Sequence, residues 1–165
     1  MRSWRDLKGA NISPTKIHAV VAEVRAAIGR GVHLDVGHGK GSFSYEVART
    51  ALAQEITPDT ISTDLHRYNL AGPVFDMATT ISKFLHLGMD LNDALSRVTS
   101  IPAATIKMQD ELGTLNVGAV ADATVLRLCE GKREMEDTVG KVETIERWLE
   151  PVYVVKGGRV VARHV

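Results

Sequence analysis

The sequence predicts an α/β fold followed by a smaller, β-rich part. Two short apolar runs, residues 32–36 and 60–63, flank a segment with helical spacing, so residues 32–64 predict strand, loop, helix and strand. From residue 112 onwards, turn residues and short alternating runs predict antiparallel strands. Parallel β-strands joined by a crossover helix carry their functional residues where each strand ends. We therefore expect a site where His38 and Asp64 follow the two runs.

Composition narrows the class of protein. The 165 residues are 44% hydrophobic, which is enough for a core, and 20 acidic residues balance 20 basic ones. This balance gives no electrostatic reason to expect nucleic acid or an anionic membrane as a partner. A single cysteine, Cys129, excludes an internal disulfide framework and a cysteine-based zinc site. Without a signal peptide or a long apolar span, we expect a soluble, cytoplasmic protein.

The first part of the chain divides into a lead-in and four elements. Residues 1–12 have no clear periodicity and are assigned as a lead-in. Ser13 and Pro14 are typical of a helix start, and apolar residues at helical spacing continue to Gly29. The strand at 32–36 follows, then a helix within 43–56 capped by Ser42 or Ser44, then the strand at 60–63.

Two helices and a β-rich part complete the prediction. Apolar spacing predicts a helix over 74–85, and Asp90 is placed to cap a second one that residues 99–102 end or redirect. Residues 112–119 are rich in turn formers, 123–128 predict a strand, and 130–137 predict a charged loop. Strands at 153–156 and 159–162 flank Gly157 and Gly158, a pair typical of a tight hairpin.

The glycine-rich stretch after the first strand admits a nucleotide-binding interpretation. Residues 35–41 (DVGHGKG) resemble the first motif of class I methyltransferases, in which Asp35, Gly37 and Gly39 would approach S-adenosylmethionine and Asp64 would hold its ribose. Lys40 is followed by glycine rather than Ser or Thr, which excludes a Walker loop. A methyltransferase also needs further strand–helix units after Asp64, and the predicted elements do not continue in that way.

A second resemblance covers the chain from about residue 13 to its end. Five motifs occur in the order found near the C-terminus of amidohydrolase-superfamily enzymes, and more narrowly of the amidohydrolase/deacetylase metallohydrolases related to dihydroorotase and N-acyl amino acid deacetylases. The motifs are LDVGHG at 34–39, ISTDLH at 61–66, TSIPA at 99–103, LGTLNVGAVAD at 112–122 and VKGGRVV at 155–161.

This resemblance implies a fold and domain boundaries. The family has a TIM (β/α)8 barrel with a small β-sandwich, and its site lies at the C-terminal mouth of the barrel. The two strands would be about strands seven and eight of that barrel. Residues 13–110 would then be part of the metal-dependent hydrolase barrel, and residues 111–165 part of the β-sandwich.

The same resemblance implies roles for four residues. Asp64 matches the strand-eight aspartate, which binds metal and takes a proton from the hydrolytic water. His38, Gly39 and His66 would contact the substrate. This substrate would be a small molecule, a cyclic amide or an N-acyl amino acid, whose amide C–N bond is hydrolysed. The family site holds two Zn2+ ions, most of whose ligands have no counterpart in this sequence, including an HxH pair and a bridging lysine.

These absences shape three expectations. A full barrel needs on the order of 250 residues, so we expect a C-terminal piece that is inactive by itself. We also expect self-association or homo-oligomerisation, because unpaired strand edges invite pairing with other chains. The alternatives to a truncated amidohydrolase are a fragment of an S-adenosylmethionine-dependent methyltransferase and a non-catalytic interaction module.

Several of these residues also have plain structural interpretations. Asp64 could cap the turn that follows it, and His38 could be a loop histidine packed between glycines. Lys40 is either solvated or meets an anionic group of the substrate. Asp122 is expected to support a turn of the β-rich part.

Overall fold

The computed structural model describes residues 14–163, and the surroundings of side chains from residue 21 to residue 162. The predicted lead-in and Ser13 lie outside the described residues. In chain order the elements are α1 (Pro14–Gly29), β1 (Asp35–Gly37), α2 (Tyr45–Ala53), β2 (Thr60–Ser62), α3 (Met77–His86), α4 (Leu91–Ser96), α5 (Ser100–Thr105), β3 (Ala123–Glu136), β4 (Val142–Lys156) and β5 (Arg159–Arg163).

The predicted strand–helix–strand unit is confirmed. Strands β1 and β2 are parallel neighbours, with Val36 opposite Ile61, and α2 connects them. Both side chains are buried in a cluster with Phe43, Tyr45 and Phe84. Burial of these apolar side chains holds the strand pair against α3 and the start of α2. Ser44 lies at the N-cap position of α2, although its side chain forms no capping hydrogen bond.

Helices α3 and α4, which follow β2, start after aspartates whose side chains accept hydrogen bonds from their first turns. Asp90 caps α4 as predicted, with its carboxylate accepting from Asn92 N at 2.8 Å. Asp76 caps α3 by accepting from Thr79 N at 2.6 Å, so this helix starts later than predicted. The chain is redirected at residues 99–102, because α5 begins at Ser100.

The β-rich part is a three-stranded antiparallel sheet in the order β3–β4–β5. The hairpin at Gly157 and Gly158 is confirmed. The prediction of a charged loop at 130–137 is wrong, because β3 continues to Glu136 and pairs there with Val142 of β4. Its charged side chains are exposed on the strand, and a register shift between Glu130 and Arg133 hides the alternation that would have revealed it.

Helix α3 joins this sheet to the parallel strand pair. Ile81 of α3 packs with Leu149 of β4 and Ala94 of α4. The Ser82 hydroxyl accepts from Leu149 N at 2.9 Å, and the Asp137 carboxylate accepts from Tyr45 N at 3.0 Å. These buried contacts place the end of β3 beside the start of α2. Among the described residues, no helix is long and apolar enough to cross a lipid bilayer.

Candidate active site

The loops after β1 and β2 stay paired beyond the strands. His38 N donates to Ser62 O and Gly39 N donates to Thr63 O, each at 3.0 Å. This pairing places Gly39 against Asp64 so closely that a Cβ on Gly39 would lie 2.6 Å from Asp64 Oδ2. Gly39 also has a φ of +51°, which favours glycine. The contact therefore requires a residue without a side chain.

A recess of about 450 Å³ opens where these two loops meet, and its lining residues are Lys40, Gly41, Ser42, Asp64 and His66. Two of the predicted site residues, Asp64 and His66, therefore line one recess. Asp64 is exposed, and its backbone is in the left-handed region with a φ of 46°. Asn69 Nδ2 donates to Asp64 O at 2.9 Å and helps to hold this conformation. A non-glycine residue held in this way is typical of functional sites.

His66 is oriented by its own loop. Its backbone N donates to Asn69 Oδ1 at 2.7 Å, and its Nδ1 accepts from Tyr68 N at 3.2 Å. The Tyr68 ring lies edge-on to the imidazole, with 5.8 Å between ring centroids. Because Nδ1 is the acceptor, these bonds assign the proton of the neutral ring to Nε2. Asn69, which is fully buried, thus anchors both recess residues of this loop.

The His38 side chain points into the protein and does not line the recess. The ring is fully buried and stacks on Phe43, with centroids 4.7 Å apart and planes 15° apart. Its Nδ1 donates to Gly39 O at 3.0 Å, and its Nε2 accepts from Lys83 Nζ at 2.8 Å. Burial, aided by the positive charge of Lys83, lowers the pKa of His38 to about 4. The predicted contact of His38 with substrate stays a prediction.

Lys83 is the residue of this region that sequence reasoning missed. It is fully buried in α3, and its Nζ also donates to Pro73 O at 2.8 Å and to Glu136 O at 2.7 Å. Burial lowers the pKa of Lys83 to about 8, and the negative charges of Asp137 and Glu136 oppose this shift. The available signal was a single lysine in a helix whose other buried positions are apolar or hydroxylated.

The described residues do not provide a complete metal centre. Across residues 14–163, no group of three or more His, Cys, Asp or Glu side chains could hold a metal ion. Of the described residues that line the recess, only Asp64 and His66 have side chains of these types. Since a catalytic zinc site takes about three protein ligands, these two do not make one alone.

Asp35 argues against the methyltransferase interpretation. Its carboxylate accepts from the hydroxyls of Thr60 at 2.6 Å and Ser62 at 2.7 Å, so it ties β1 to β2. The parallel sheet contains only these two strands within the described part of the chain. A methyltransferase sheet would continue after β2, whereas helices and an antiparallel sheet follow here.

Comparison with known proteins gives a consistent result. The pattern of the amidohydrolase family matches residues 24–161. The chain is 42% identical over 134 residues to deacetylase Atu3266 of Agrobacterium fabrum, which covers 81% of this chain and 33% of that protein. It is 33% identical over 135 residues to a deacetylase of Enterococcus faecalis, covering 81% of this chain and 36% of that protein. The chain thus spans about a third of the length of these curated relatives.

Solved structures agree with the sequence relatives. The crystal structure of a dihydroorotase superposes with a TM-score of 0.75 at 40% identity, over 85% of this chain and 37% of that one. The crystal structure of an adenine deaminase gives a TM-score of 0.78 at 33% identity, over 82% of this chain and 37% of that one. These names are those of hydrolases, and the fold is a fragment of the TIM-barrel type they share. The chain belongs to the amidohydrolase family.

Proposed function

We propose that this chain is the part of a metal-dependent amidohydrolase that carries about strands seven and eight of the barrel, as β1 and β2, and part of a β-sandwich, as β3–β5. In this proposal the complete enzyme hydrolyses amide C–N bonds of cyclic amides or N-acyl amino acids. The observation that carries the proposal is the recess at the ends of two parallel strands, with the Asp64 carboxylate in its wall. Membership of the amidohydrolase family supports it.

Asp64 acts as the general base in this proposal. Its carboxylate takes a proton from the attacking water and passes it to the amide nitrogen as the C–N bond breaks, leaving a carboxylate and an amine. Two features of the site support this role. Asp64 is exposed to the recess, and Gly39 packs against its Oδ2, which limits where the carboxylate can move. A carboxylate restricted in this way would keep its orientation towards the attacking water.

Amidohydrolases generally use metal ions, and zinc is our proposal for this enzyme. Because the described residues do not form a metal centre, we derive no catalytic step through one. Asp64 would be the contribution of this chain to the ligand set, and the remaining ligands would come from other parts of the complete barrel. A carboxylate at a strand end is a suitable ligand type for such a site.

Substrate contacts are proposed for both walls of the recess. His66 presents Nε2–H as a donor, and Lys40 on the opposite loop presents an ammonium group. An N-acyl amino acid carries a carboxylate that Lys40 would attract, which favours anionic amides over neutral ones. Gly39, which has no side chain, would leave the floor of the site open to the substrate. The buried ring of His38 would support Gly39 from the protein side of the recess.

The test combines this chain with the N-terminal two-thirds of the Agrobacterium deacetylase and zinc. We expect hydrolysis of N-acetyl amino acids by the mixture, and a loss on the order of 10²-fold or more with Asp64→Asn. Lys132→Met, at an exposed lysine of β3, serves as the control and should change nothing. An inactive mixture of two folded parts would refute the proposal, as would saturable binding of S-adenosylmethionine by the chain.

Self-association is proposed on the basis of the parallel strand pair. Within the described residues, β1 and β2 each have one strand partner, so each has an outer edge without one. Arg97 O accepts from Ile61 N and covers part of the β2 edge, which leaves β1 as the more open one. We expect sedimentation to show dimers or larger species of the isolated chain. A monomer that melts cooperatively would contradict this expectation.

A further inference from the structure

We infer that Lys83 is a positioning residue for the recess, and that its buried ammonium group holds both loops of the recess in place. The glycine loop, residues 38–42, and the Asp64 loop, residues 63–73, form the two walls. Lys83 lines neither wall, but it bonds to one end of each. The inference rests on the proposed function only for the identity of the ligand.

The hydrogen bonds of Lys83 connect three separate segments. Nζ donates to His38 Nε2 in the glycine loop, to Pro73 O at the end of the Asp64 loop, and to Glu136 O at the end of β3, at 2.7–2.8 Å. An ammonium group has three N–H donors, so all three are used. The end of β3 and both walls of the recess are therefore bonded to the same atom, Lys83 Nζ.

From Lys83 the contacts lead to Asp64 through His38. Because Gly39 O can only accept, His38 Nδ1 carries the ring proton, and Nε2 is left as the acceptor that the ammonium group requires. Gly39 in turn donates to Thr63 O and packs against the Asp64 carboxylate. Each step is a direct contact, so displacement of the His38 ring would shift the surface against which Asp64 rests.

The cost of burying this lysine indicates that its role is more than filling space. Lys83 is fully buried, and its direct partners are two carbonyl oxygens and one ring nitrogen, all neutral. A methionine would fill the same volume without desolvating a charge. It would also leave those three acceptors without their donor, which loosens the loops that carry them.

The test compares hydrogen exchange in wild type, Lys83→Met and Lys132→Met, the same change at an exposed lysine. In Lys83→Met we expect amides of both loops to exchange at least about tenfold faster, with β4 unchanged. Lys132→Met should match wild type. Equal acceleration in β4 would indicate a general loss of stability and overturn the inference, as would unchanged loops.

A second variant keeps the inference testable if Lys83→Met does not fold. His38→Phe retains the stacking on Phe43 but removes the bond to Lys83, which still holds Pro73 O. We expect faster exchange in the glycine loop and little change near residue 73. Acceleration near residue 73 as large as that in the glycine loop, or no acceleration in the glycine loop, would contradict the inference. Exchange needs no catalysis, so these exchange patterns together with an inactive mixture of this chain and the N-terminal part of the deacetylase would refute the proposed function alone.

Discussion

Acidification should destabilise the protein through His38, because the folded state encloses this ring in its neutral form. The unfolded chain binds a proton on His38 below its ordinary pKa of 6.5, whereas the folded chain resists it until about 4. The stabilisation is therefore complete above pH 6.5 and is lost as the pH falls towards 4. The difference between the two pKa values corresponds to at most about 3 kcal/mol of unfolding free energy. Between a pH of about 7 and a pH of about 4.5, the expected loss is about 2 kcal/mol.

The assay is urea unfolding followed by circular dichroism at those two pH values, for wild type and His38→Gln. Glutamine does not titrate, but its amide can still donate to Gly39 O and accept from Lys83. Other acidic groups, such as Glu143 with a pKa lowered to about 2, titrate equally in both proteins. Wild type should lose about 2 kcal/mol more than the variant. Equal losses, or an NMR titration of His38 near its ordinary pKa, would refute the reasoning.

Three further predictions concern stability near neutral pH. Gly39→Ala should lower the unfolding free energy by about 1 kcal/mol more than Gly157→Ala, whose φ of +54° is similar but whose added methyl would meet nothing within 4 Å; equal costs would argue against the contact with Asp64. Glu143→Gln should cost about 1 kcal/mol, because it weakens the ion pairs with Arg49 and Lys141 and the hydrogen bond with His86, and thermal unfolding against an exposed Glu134→Gln control checks this. Asp137→Ala should cost about 2–3 kcal/mol in urea unfolding, because three backbone donors lose their acceptor; a cost below about 0.5 kcal/mol would contradict this.

Local patterns predicted much of the fold. The strand–helix–strand unit, the cap at Asp90 and the hairpin at Gly157 each depend on residues close together in the chain. The extension of β3 was missed because its charged side chains face solvent, and the pairing that makes them a strand comes from β4. Propensity alone therefore assigned a loop to a segment that long-range pairing makes a strand.

The candidate site shows the same division. The motifs around Asp64 and His66 predicted a site at two strand ends, and both residues line the recess. The orientation of His38 was not predictable, because its partner Lys83 lies 45 residues away. Nor was the burial of Lys83, which depends on Glu136, 53 residues further along the chain. Nothing in either local sequence indicates such a pair.

By itself, the sequence determined the parallel unit, the family resemblance and the carboxylate that follows β2, because short-range periodicity and turn chemistry are encoded in neighbouring residues. Only the tertiary structure decided which histidine lines the recess and which one supports it. The reason is that a buried polar group needs a partner, and packing alone brings that partner near. His66 remained at the surface, whereas His38 was enclosed where Lys83 could donate to it.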